Sequence, residues 1–342
     1  MSHLPVKQAR RDLFAFAGAL KLPQWWLQSG ALIAFVIVLV VFSTSSPLFF
    51  TLGNFANVMQ QSAIVGTLAF GLTLVLVGGG VNGIAGGIDL SIAANLGFCA
   101  AVYATSLADG LAPAAAVALT LLAGTTVGLF NAFAVVVLRM LPLLATLTTM
   151  NIVAGLELVV TRNSTVSATG PTLSALLDNG PFAIPWLSYA FVGVGLVFVW
   201  LGHFTRFGLR LHASGSHPAA TRAAGLRADG YVAASYVLCG LSAGVAALAS
   251  TALLSGSAPG SGENLLAVIA AVLLGVVFSR RLVPTMAGTW LSVLFLGLIA
   301  NGFQLDNVSS YWINGVEGAL ILFVVSLTAL LRRRNLERSS HA

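Results

Sequence analysis

Residues 22 to 88 contain no Asp, Glu, Lys or Arg. Soluble domains carry about 25% charged residues, so an uncharged run this long belongs in a bilayer. Asp89 ends the run, within Gly86-Gly87-Ile88-Asp89-Leu90-Ser91, and is the only charge between Lys21 and Asp109. A carboxylate at the centre of a membrane helix costs about +2.5 to +3.5 kcal/mol on insertion scales. Such a residue is retained for function or tied to backbone amides. The glycines around it imply a broken helix and close backbone approach. Two roles stay open for Asp89: a gate or constriction in a pathway, or an acceptor that caps the helix after it.

The rest of the chain agrees with a membrane setting. Of 342 residues, 58% are hydrophobic and 8% charged, and the mean hydropathy is +0.95. No hydrophilic block is long enough for a soluble domain. The basic pI near 9.9 does not mark a nucleic-acid binder, because the basic residues sit singly or in short clusters between apolar spans. Residues 1 to 21 hold Lys7, Arg10, Arg11 and Lys21 without the apolar core of a cleavable signal.

Apolar stretches of about 20 residues predict an all-α integral membrane protein with about ten transmembrane helices. The expected spans are 27–45, 62–80, 90–108, 112–138, 143–161, 186–204, 231–254, 264–279, 284–304 and 311–331. If they alternate from a cytoplasmic N-terminus, only Arg162 among the 16 Lys and Arg residues falls outside. That bias puts both termini in the cytoplasm. The organisation is a cytoplasmic segment 1–26, a single membrane domain 27–331 and a basic tail 332–342. In the tail, Arg332, Arg333 and Arg334 end the last helix and meet anionic lipid. The expected location is a bacterial inner membrane, crossed many times.

Chemistry of the usual catalytic kinds has no residues to use. A Walker loop needs Gly-Lys-Ser/Thr, and the only lysines are Lys7 and Lys21. The five His residues and two Cys residues (Cys99 and Cys239, both in apolar spans) do not reach metal-ligand spacing. No catalytic residue, metal or cofactor is expected in the chain. What the spans do contain is a set of uncharged polar residues: Asn82, Ser91, Asn95, Asn131, Thr146, Thr148, Thr149, Asn151, Asn301 and Gln304. Singly, each is an ordinary interhelical hydrogen-bonding residue. As a set with Asp89, they suit a route for a neutral polyhydroxyl solute better than one for an ion. Glu157 is expected at the outer interface beside Arg162.

The largest inside segment is 205–230. Within it, Pro218 suits the first turn of a helix and Gly225 its end. A two-turn helix outside the membrane follows. Ala219 and Ala220 make its surface small, with Arg222 as its basic side chain.

Five blocks, in order, resemble the permease subunits of bacterial ABC importers for ribose and other simple sugars. The first is Gly86-Gly87-Ile88-Asp89-Leu90-Ser91. The next two are Leu129-Phe130-Asn131 and Pro142-Leu143-Leu144-Ala145-Thr146-Leu147-Thr148-Thr149-Met150. The loop 213–226 is the fourth, and Gly262-Glu263 with residues 267–275 the fifth. The likeness covers about residues 50 to 331. Departures include Ile92-Ala93 after the Asp-Leu-Ser triplet, Ser216 and His217 in the fourth block, and Val276 after Gly275.

The resemblance implies an alternating-access pathway shared with a second permease copy or a paralogue. It also implies two cytoplasmic ATP-binding subunits or one fused double ATPase, with ATP and Mg bound there, and a periplasmic solute-binding protein. Gly215, His217, Pro218, Ala219, Ala220, Arg222 and Gly225 would form the coupling element that meets the ATPase. Asp89, Ser91, Asn82, Asn95, Asn131, Thr146, Asn151, Asn301 and Gln304 would line or gate the path.

Overall fold

The computed structural model describes residues 24–80, 87–260, 264–279 and 283–309, with isolated positions between 312 and 322. It is almost entirely helical. The helices are α1 (Gln24–Ser45), α2 (Leu52–Gly79), α3 (Ile92–Ala108), α4 (Pro113–Ala132), α5 (Pro142–Thr161), α6 (Pro171–Leu177), α7 (Trp186–Val199), α8 (Arg206–Ser216), α9 (Pro218–Ala223), α10 (Ala228–Leu254), α11 (Leu265–Phe278) and α12 (Met286–Leu305). Short π-helical segments, Phe133–Val137 and Trp200–Phe204, continue α4 and α7. Six helices are long and apolar enough to cross a membrane: Leu52–Gly79, Pro113–Val137, Pro142–Thr161, Trp186–Phe204, Ala228–Leu254 and Met286–Leu305. Among the described residues, the other apolar helices coincide with the expected spans at 27–45, 90–108 and 264–279. The expected span 311–331 lies largely outside the described residues.

Local chemistry sets the helix starts. Proline occupies the first turn of α4, α5, α6 and α9, where no backbone donor is needed. Thr51, Thr205 and Thr285 cap α2, α8 and α12 by accepting from the amides of Asn54, Gly208 and Gly288 at 3.1–3.2 Å. The Thr51 cap corrects one expectation. Hydropathy places the second span at 62, but α2 begins ten residues earlier. Asn54, Gln60 and Gln61 dilute the apolar signal without breaking the helix.

Helices α2 and α10 form the centre, each packing on several neighbours. The seam between α10 and α4 is built from two facing Gly-x-x-x-Gly steps, Gly124/Gly128 and Gly240/Gly244. A Cβ on Gly124 would lie 2.5 Å from the Gly240 carbonyl oxygen, and one on Gly128 2.5 Å from that of Tyr236. The backbones therefore touch, as small-residue spacing in lipid predicts. Elsewhere an aromatic cluster of Phe70, Phe191, Phe198 and Trp290 joins α2, α7 and α12. Gly66 and Gly195 make room for its rings.

Contacts form between segments that alternation puts on the same side. At the expected outer end, a two-residue antiparallel pairing joins β1 (Val166–Ser167) to β2 (Gly256–Ser257). Asn54 meets Asn301 at that same end. At the opposite end, Asp89 meets Asn131, and Thr146 meets Ile88.

Two readings need correction. Glu157 is not at the surface. It is 3% exposed and its carboxylate packs on Gly97 of α3. Residues 205–230 are not a single loop holding one short helix. Helix α8 precedes α9 and packs on α2 and α10, and α10 has begun by Ala228.

Candidate functional site

Asp89 lies three residues before α3 and is 2% exposed. Its Oδ1 accepts from the Ser91 amide at 2.9 Å and from the Ser91 hydroxyl at 2.6 Å. Both carboxylate oxygens accept from the Asn131 Nδ2 of α4 at 3.2 Å, and that nitrogen also donates to Ser91 Oγ at 2.7 Å. Thr146 of α5 donates to the neighbouring Ile88 carbonyl at 3.2 Å. Cys239 and Tyr236 of α10 flank the carboxylate. The geometry is that of an acceptor hub. One carboxylate, facing neutral donors, ties the chain entering α3 to α4, and its neighbour Ile88 ties the same segment to α5. Of the adjacent amides, the carboxylate accepts from that of Ser91, the residue at which α3 starts, and among the described residues no side chain caps the amides of the helix itself.

The other expected polar residues divide. Asn95 donates to the Gly124 carbonyl at 3.2 Å and accepts from the Cys99 thiol at 3.4 Å, so it joins α3 to α4. Asn301 and Asn54 exchange two amide hydrogen bonds of 2.8 and 2.9 Å, clasping α12 to the start of α2. Gln304 is exposed near the end of α12. Asn82 lies outside the described residues.

The clasp makes a thermodynamic prediction. Asn54→Ala leaves the buried Asn301 amide without Asn54, Asn301→Ala leaves the Asn54 amide only its bond to the Phe49 carbonyl, and each costs about 1–3 kcal/mol. The double variant costs clearly less than their sum, as a double-mutant cycle of detergent melting curves would read out.

Thr148 and Asn151 behave differently. Leu144, Thr148, Asn151, Gly155 and Leu158 follow one another at alternating four- and three-residue steps, which places them on one stripe of α5. All five are exposed, while Ala145, Thr149, Val153 and Glu157 on the opposite side are buried. Thr148 Oγ1 donates to the Leu144 carbonyl and Asn151 Nδ2 to the Leu147 carbonyl, both at 2.9 Å. The Thr148 donor is thus occupied and Asn151 keeps one N–H of its amide, while the acceptor lone pairs of Thr148 Oγ1 and Asn151 Oδ1 remain for a donor outside the subunit.

The expected coupling element is split by the fold. His217, Pro218, Ala219, Ala220, Arg222 and Gly225 are exposed, and Gly225 adopts a φ of 78° where α9 ends. Arg222 pairs with Asp229 of α10 at 2.9 Å. Arg210 of α8 donates to the Tyr231 hydroxyl at 2.9 Å and lies over its ring. Gly215, by contrast, is packed on the end of α2: a Cβ there would overlap the Val77 carbonyl oxygen. Sequence reading grouped it with the exposed residues. Nothing local distinguishes a glycine that meets a partner from one that meets its own chain. The same limit hid Cys239, which the sequence places only in an apolar span and which lies against Asp89.

Residues 54–325 match the family described as branched-chain amino acid transport system / permease component. The ribose import permease protein RbsC of Escherichia coli strain K12 is 33% identical over 313 residues, covering 88% of this chain and 93% of the relative. That of Bacillus subtilis strain 168 is 32% identical over 302 residues, covering 87% and 91%. The autoinducer 2 import system permease protein LsrD of Klebsiella pneumoniae is 29% identical over 335 residues, covering 94% and 96%. No solved structure matches the chain.

Proposed function

The chain belongs to the branched-chain amino acid transport system / permease component family, and from that premise we propose that it is the membrane-spanning subunit of an ATP-driven, binding-protein-dependent importer for a simple sugar or similar small polyhydroxyl solute. The observation that carries the solute class is the exposed stripe of α5. Thr148 and Asn151 point away from the subunit, on a stripe otherwise made of Leu144, Gly155 and Leu158, with acceptors free. Lipid has no donor to offer them. A solute rich in hydroxyl groups does. The aliphatic side chain of a branched-chain amino acid, which the family's description would suggest, gains nothing from such acceptors, and only its single ammonium group could donate to them. The relatives named for ribose and autoinducer 2 import support the same choice.

In this reading the chain crosses an inner membrane ten times with both termini in the cytoplasm, as the distribution of Lys and Arg supports. It pairs with a second permease, identical or paralogous, so that the α5 stripes line a path between them. The chain is not itself an enzyme. ATP and Mg bind to cytoplasmic ATPase subunits, which meet the exposed face of α9. A periplasmic solute-binding protein delivers solute to the outer end. Alternating access then needs only a low-affinity path, because selectivity lies in the delivery protein.

Reconstitution tests this directly. With ATPase and binding protein present, proteoliposomes accumulate a pentose-class solute only when ATP is supplied. Asn151→Leu lowers that uptake about tenfold, the worth of one hydrogen bond of about 1.4 kcal/mol, with subunit assembly unchanged. Accumulation by the purified chain alone, or of leucine in place of sugar, would refute the reading.

A further inference from the structure

The last turn of α2 is held between two glycines from distant parts of the chain. On one side lies Gly215 of α8. A Cβ on Gly215 would overlap the Val77 carbonyl oxygen, and a Cβ on Gly80 would overlap the Gly215 carbonyl oxygen. Gly80 has a φ of 81°, so it is doubly intolerant of a side chain. Beside this contact, the fully buried Leu211 of α8 fills the space over Gly78, with its Cδ1 only 2.9 Å from where a Cβ would stand. On the other side lies Gly87. A Cβ there would sit 2.8 Å from the Val75 carbonyl oxygen and 3.3 Å from the Gly79 Cα.

These positions have opposite allegiances. Gly215 is three residues before Pro218, the first residue of exposed α9. Gly87 is two residues before Asp89, whose carboxylate gathers α3 and α4. The turn of α2 at residues 75–80 therefore stands in backbone contact with both. Contacts of this kind contain no flexible side chain that could absorb a displacement, and close-packed interiors transmit strain. We infer that Gly215, Gly80 and Gly87 are positioning residues that carry movement of α9 through the end of α2 to the Asp89 hub. This rests on α9 being the surface that the ATPase moves.

The link is tested in the complete reconstituted transporter by measuring ATP hydrolysis and solute uptake together. Gly215→Ala wedges a methyl group between the two backbones. It leaves assembly with the ATPase intact and ATP hydrolysis within about twofold of wild type, while uptake falls at least tenfold, so the ATP consumed per solute rises at least tenfold. Leu211→Ala loosens the same contact without a collision and raises the ratio in the same direction. It decides the matter if Gly215→Ala does not insert. Gly193→Ala, at a helical position with nothing within 4 Å, leaves both rates unchanged. Parallel loss of hydrolysis and uptake, or an unchanged ratio, in the deciding variant overturns the link. Failure of the importer reading would show instead in the wild type, as absence of ATP-driven uptake.

Discussion

Asp89→Ala abolishes uptake while leaving the chain inserted in the membrane. The truncation removes the acceptor for three donors: the Ser91 amide, the Ser91 hydroxyl and the Asn131 amide nitrogen. Each is buried, and a buried donor left unpaired costs about 1–3 kcal/mol. One such loss is enough for about a tenfold change in the occupancy of the working arrangement. Here two occur, at the Ser91 amide and hydroxyl, while Asn131 keeps only its bond to Ser91 Oγ, at the junction where α3 and α4 converge. Insertion does not suffer, because it follows the apolar length of the spans and the loop charges, and the substitution removes an expensive charge from the bilayer. Asp89→Asn separates charge from geometry. It keeps one carbonyl oxygen for Ser91 but turns an NH2 group towards the donor of Asn131, so uptake falls about tenfold and no further. Uptake of labelled solute beside an immunoblot of the membrane fraction distinguishes the three cases. Wild-type rates in Asp89→Ala would show that transport does not need the hub.

Much of this architecture was legible before any coordinates, because lipid imposes one rule on every span: twenty apolar residues whose backbone satisfies itself. That rule places α4, α5, α7, α10 and α12 within a few residues. It fails where polarity and helicity part company. Asn54, Gln60 and Gln61 delay the expected start of α2 although all three lie in its first turns. Helix α8 reads as part of a loop because Arg206, Arg210 and His212 make the segment polar, although Gly208, Leu211 and Ser214 are buried in the fold. Glu157 was assigned to Arg162 because they are near in sequence. Four-residue steps from Ala145 through Thr149 and Val153 put it on the buried stripe, not at the surface. At the site, Asp89, Ser91, Asn131 and Thr146 were each identifiable as polar residues in apolar surroundings, but their convergence was not. Pairings across 40 to 60 residues of chain depend on how whole helices stack, and no local period encodes that.

The same non-local stacking makes Gly240→Leu a strongly destabilising change. Gly240 faces the Gly124 carbonyl on one side, where any Cβ would overlap it, and the Gly128 amide nitrogen and Cα at 2.8 Å on the other. Both neighbours are backbone, so no rotamer change can relieve the collision. The helices must separate along the seam where α10 and α4 meet. Separation also draws Asn131 away from Asp89, because Asn131 lies three residues beyond Gly128 on the same helix. Overpacking in a close-packed interior typically costs about 1–3 kcal/mol when side chains can shift. With backbone on both sides, the cost here is about 3 kcal/mol or more, enough to prevent recovery of folded protein in mild detergent. Gly155→Leu is the matched comparison. Gly155 has nothing within 4 Å, and replacing a helical glycine gains up to about 1 kcal/mol of propensity, so its melting temperature stays level or rises. If Gly240→Leu melts with the wild type, α4 and α10 do not meet through their glycines. The position of Asn131 against Asp89, which depends on that meeting, would then need another support.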